Sequence, residues 1–67
     1  MTMSIIFERR LPDGSVGCLG TAYESPRGWR FVPAVASHKP SRKVHATMER
    51  CLPRWLHYPD GCESRSV

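Results

Sequence analysis

Long apolar runs, evenly paired cysteines and clustered acids are all missing from these 67 residues. Each absence removes a class of protein. No stretch approaches the roughly 20 apolar residues of a membrane span, and the N-terminal run Ile5, Ile6, Phe7 is too short for a secretory signal. Cys18, Cys51 and Cys62 are odd in number and widely separated, which argues against a disulfide scaffold and for reduced thiols. A soluble, cytoplasmic protein is expected. No C-x-x-C, H-E-x-x-H or closely spaced histidine pair occurs, so neither a metal nor another cofactor is expected. Glu8, Glu24 and Glu49 are isolated carboxylates, and no glycine-rich loop is present to cradle a phosphate. A domain of this size buries only about 60% of its unfolded surface, which leaves little depth for an active site. The expectation is a protein that is not an enzyme.

What the chain does have is positive charge, unevenly placed. Ten Lys and Arg against six Asp and Glu give a formal charge of +4, which favours anionic partners. Between Ser25 and His57 lie Arg27, Arg30, Lys39, Arg42, Lys43, Arg50 and Arg54, with Glu49 the single acid. Counterion release makes such a set attractive to a phosphate backbone, and Tyr23, Trp29, Phe31 or His45 would stack on bases if exposed.

The segment "SIIFERR" alternates in the manner of a strand, and "LPDGS" behind it carries strong turn chemistry. Residues 4–10 and 15–24 are therefore expected to pair as an antiparallel hairpin. Gly17 and Gly20 in the second strand suggest a bulge or a close approach by another element. After the turn "SPRG", the stretch "GWRFVPAV" reads as a third strand, with Pro33 marking an edge or the end of pairing. Residues 42–46 read as a short fourth strand or as an extended lead-in to the helix.

Thr47 stands where a helix N-cap belongs, with Glu49 in the first turn. Met48, Cys51, Leu52, Trp55 and Leu56 form one apolar stripe at helical spacing. Pro53 interrupts that stripe and predicts that the helix kinks or splits near Leu52, or restarts with Pro53 at its first position. Cys51 is expected in the core, Cys18 packed in the hairpin, and Cys62 in the tail.

The order strand, turn, strand, turn, strand, helix, with "GWRF" opening the third strand and "PSRKVHATMERC" leading into the helix, resembles two DNA-binding families over about residues 28–51. These are the arm-binding domains of tyrosine recombinases and the plant AP2 domains. Both lay a three-stranded sheet on DNA, and the resemblance implies that role for Arg27, Arg30, Arg42 and Lys43. The chain is also similar to the short stand-alone proteins of bacteria and their phages, which implies no activity.

The expected architecture is a single small α+β domain over residues 1–58. It has an antiparallel sheet of three strands, or four with residues 42–46, and one C-terminal helix packed on one face. Met48, Leu52 and Trp55 are expected to meet Ile5 or Ile6, Leu19 and Phe31. Residues 59–67 are expected to be a flexible tail. The function expected is non-catalytic binding, with nucleic acid, DNA or RNA, on the basic surface of residues 27–54. The alternative is a protein partner or a homodimer, covering Tyr23 and Trp29, with no role in nucleic-acid binding.

Overall fold

The computed structural model describes residues 3–35, 37–40, 43–58 and 60–67. The strands are β1 (Ser4–Arg10), β2 (Val16–Ser25), β3 (Gly28–Pro33) and β4 (Glu63–Ser66). They form an antiparallel sheet in the order β3-β2-β1-β4. A one-turn helix, α1 (Met48–Cys51), and a 3-10 turn, Arg54–Leu56, lie between β3 and β4 in the chain. The expected α+β class holds, with a much shorter helix. Among the described residues, no helix is long and apolar enough to cross a membrane.

Turn chemistry sets the hairpin. Asp13 Oδ1 accepts from the Ser15 backbone N–H at 2.9 Å and from its hydroxyl at 2.6 Å. Gly14 takes a positive φ of 89° between them, a conformation that glycine adopts without steric cost. The register then runs from Arg10 opposite Val16 to Ser4 opposite Tyr23. It slips once: Phe7 faces Gly20 while Glu8 faces Cys18, which leaves Leu19 as an extra residue and makes a bulge. Close approach explains the glycine there. A Cβ on Gly20 would collide with the Phe31 ring and lie 2.8 Å from the Val32 carbonyl oxygen.

Alternation along the strands puts Ile5, Phe7, Gly20, Ala22, Trp29 and Phe31 on one face. Phe7, Ala22 and Phe31 are buried there with Cys51, Leu56 and Cys62, and Ile5, Leu19, Trp29, Met48, Leu52 and Trp55 pack around them. Phe7 and Phe31 meet at 6.2 Å between ring centroids, and Trp55 meets Phe31 edge-on at 5.9 Å, geometries suited to the ring quadrupole. Trp55 is half-buried rather than central; the largest fully buried side chains are Phe7, Phe31 and Leu56.

The helical stripe splits at Pro53 as its position predicts: α1 stops at Cys51, and Pro53 caps a separate 3-10 turn in extended conformation, because its ring cannot enter a helix interior. Two expectations are corrected. The fourth strand is β4 and not residues 42–46, of which Arg42 lies outside the described residues; within 43–46, His45 makes a single bridge to Trp29. Finally, Glu63–Ser66, expected within a flexible tail, pairs with β1, and Cys62 is buried against the core. Arg9 anchors the return, donating from Nε to the Gly61 carbonyl at 3.2 Å and from Nη2 to the Leu56 carbonyl at 3.1 Å.

Two predictions follow from this packing. Gly20→Ala forces the Phe31 ring or the β3 backbone to move and should cost about 2 kcal/mol or more, lowering Tm by roughly 10 °C in thermal unfolding. Gly17→Ala, whose Cβ meets nothing closer than 3.9 Å, should leave Tm almost unchanged. The second concerns Asp13, whose carboxyl the Ser15 hydroxyl and N–H hold below its ordinary 3.8. A depressed carboxylate pKa adds stability that is present above the ordinary value and lost as pH falls through the folded one. The Tm deficit of Asp13→Ala should therefore be present at pH 7 and shrink as pH drops below 3.8.

Candidate nucleic-acid interface

Among the described residues, the helical layer covers one side of the sheet and leaves the other side open. By the same alternation it carries Ser4, Ile6, Glu8 and Arg10 from β1, Val16, Cys18, Thr21, Tyr23 and Ser25 from β2, Arg30 and Val32 from β3, and Glu63 and Arg65 from β4. The two halves of this face differ. On β1 and β4, charges pair off: Arg65 Nε donates to Glu8 Oε1 at 2.7 Å, and Arg10 lies 3.9 Å from Glu63.

On β2 and β3 there is no acid on the open face. Tyr23 stands opposite Arg30, and Thr21 opposite Val32. Tyr23 is 46% exposed and Val32 41%, unusual for large side chains in mid-strand. Together with Ser25, Arg30 and Pro40 they line a shallow groove of about 340 Å³. The turn below it is pinned by the Ser25 hydroxyl, which donates to the Gly28 carbonyl at 3.2 Å and accepts the Arg27 N–H at 3.3 Å. Arg27 is exposed on that turn, and Lys39, also exposed, precedes the groove wall Pro40.

The loop that supplies this wall wraps the end of β3. Ala34 donates its N–H to the Leu19 carbonyl at 3.1 Å. His38 stacks on Trp55 of the helical layer at 4.3 Å between ring centroids and 17° between planes, and two residues later Pro40 reaches the open-face groove. Beyond it, Trp29 and His45 exchange both backbone hydrogen bonds, at 2.7 and 2.8 Å.

The expected cationic set is thus divided. Arg30 lines the groove, exposed Arg27 and Lys39 stand close in sequence to its lining residues Ser25 and Pro40, and exposed Lys43 lies in the segment leading to the His45 bridge. Arg42 lies outside the described residues. Arg50 on α1 and Arg54 on the 3-10 turn belong to the layer covering the opposite face. Arg54 lines a second groove there, of about 310 Å³, with Glu49, Leu52, Pro53, His57 and Tyr58. Its acid and base offset each other and give it no bias toward an anion. Tyr23 and Trp29 are separated too: Trp29 packs against the core, so they form no common patch. Ser25, Val32 and Pro40 were not singled out from the sequence, since only the β2–β3 register and the loop's return bring them together.

Among the described residues, no three His, Cys, Asp or Glu side chains group to hold a metal. The thiols differ in setting. Burial pushes the Cys51 and Cys62 thiols above their ordinary pKa, while Cys18, expected to pack in the hairpin, is exposed, because the bulge at Leu19 sets it opposite Glu8 on the open face. No family model, curated protein or solved structure matches the chain.

Alkylation of the native protein should accordingly modify Cys18 alone. Cys51 and Cys62 should react only at the rate of unfolding, read by mass spectrometry after a timed pulse.

Proposed function

We propose that the chain is a small, non-catalytic binding module that takes single-stranded nucleic acid on the β2–β3 half of its open face. One observation carries this reading. The groove combines an exposed aromatic ring, apolar walls and an arginine with no acid in its lining, and Arg27 and Lys39 are exposed on the turn and loop that supply Ser25 and Pro40. An unpaired base has a π-face for Tyr23 and apolar area for Val32 and Pro40, and its phosphates suit the cations around it. Such a groove is shallow for a duplex but open to a splayed base. Cys18, Cys51 and Cys62 form no disulfide, which supports a reducing compartment, and we place the protein in the cytoplasm. No cofactor enters this reading.

Binding of labelled single-stranded oligonucleotides across a salt series tests it. Arg30→Ala with Lys39→Ala should weaken binding for all sequences and reduce the log–log salt slope by about 1.4, two phosphates at roughly 0.7 each. Tyr23→Ala should cost about 1–3 kcal/mol while leaving the slope unchanged. Arg50→Ala with Arg54→Ala, on the other face, should change little. Equal losses from both arginine pairs, or no binding to any strand at low salt, would overturn the proposal. The half-exposed Tyr23 and Val32 also suit a protein partner, and binding through them would be insensitive to salt.

A further inference from the structure

The two edges of the sheet are treated differently. On the β3 side, His45 takes up both backbone groups of Trp29, and the strand ends at Pro33, which has no N–H. On the β4 side, no described element lies beyond the strand. Its backbone polarity follows from the ladder. Val67 donates to the Ser4 carbonyl at 2.9 Å, so Val67, Arg65 and Glu63 turn their backbone groups toward β1. Ser64 and Ser66 turn theirs outward.

A second copy of the same edge, related by a two-fold axis normal to the sheet, must pair antiparallel and place outward residues opposite outward residues. Only a few registers satisfy that. With Ser64 opposite Cys62 of the second copy, Glu63 faces Glu63; with Ser64 opposite Ser66, Arg65 faces Arg65. Both oppose like charges. With Ser64 opposite Ser64, each Glu63 faces an Arg65, twice over, and these are non-hydrogen-bonded pairs whose side chains stand closest, at about 4.5 Å between Cα atoms. Ser66 opposite Ser66 engages only the end of the strand.

We propose that β4 is a self-complementary edge through which two copies of this chain pair, centred on Ser64, into one continuous antiparallel sheet. Charged side chains ordinarily blunt an edge, but charges that meet their opposites across the new pair favour pairing. Here both signs stand two residues apart on one face, each already anchored from β1 by Arg10 and Glu8. The four-residue strand cannot bury the roughly 1,000 Å² of a stable interface, so the dimer is weak and concentration-dependent. Both open faces point the same way, which joins the two β2–β3 grooves on one surface.

Sedimentation of the full chain over a concentration series up to about 1 mM, at low salt so that charge pairs are little screened, provides the test. The wild-type mass should rise from monomer toward dimer. Glu63→Arg and Arg65→Glu should each weaken pairing by about tenfold or more, because each sets like charges opposite one another. An equimolar mixture of the two variants should recover it, since every cross-strand pair is then of opposite sign. Ser64→Pro removes an outward N–H that β1 does not use and should abolish pairing, with Cys62 still protected from alkylation as proof of the fold. A wild type that stays monomeric throughout, a mixture no better than its components, or a folded Ser64→Pro protein that still dimerises would overturn the proposal.

Discussion

The Phe31 ring occupies the space where any other residue at position 20 would carry its Cβ, and the rest of the domain is arranged around that contact. The bulge at Leu19 turns Gly20 to face Phe7 and Pro33. Phe7 and Trp55 pack against the same ring. Phe7, Phe31 and Leu56 close one face of the sheet, and among the described residues the other face has no covering layer.

The covering layer is held by tertiary contacts more than by helix formation. A single helical turn fixes several residues for very few hydrogen bonds and does not persist alone. Thr47 accepts the Arg50 N–H at 3.4 Å, which satisfies one orphan donor of α1. Pro53 ends any continuation and starts the 3-10 turn. Arg9 reaches from β1 to the Leu56 and Gly61 carbonyls, so the strand that supplies Phe7 also ties down the return of the chain into β4. Cys62, next in sequence, closes the core.

Electrostatics follow the same division. The described cations of one crowded stretch of sequence are distributed by the fold over two faces. Arg30 on β3 lines a groove without acids, while Arg50 and Arg54 sit on the helical layer beside Glu49. The acids near the chain ends, Glu8 and Glu63, meet Arg65 and Arg10 on the other half of the open face. Local charge density along the chain is therefore a poor guide to the field that a ligand meets.

By itself the sequence determined what local chemistry controls. The hairpin over 4–10 and 15–24, the turns at Asp13–Gly14 and "SPRG", the third strand, the Thr47 cap and the break at Pro53 all depend on residues within a few positions of one another. The groove, the bulge's exposure of Cys18, the burial of Cys62 and the strand at Glu63–Ser66 were not legible in this way. Each depends on pairing between residues far apart in the chain. "ESRS" has no strand propensity or apolar alternation of its own, and it becomes a strand because β1 offers a free edge and Arg9 holds Gly61 beside it. Likewise Tyr23, Arg30 and Pro40 become neighbours only when β2 and β3 align and His38 folds onto Trp55. Tertiary structure decided these because backbone hydrogen bonds and ring contacts between distant residues leave no periodic trace in the order of amino acids.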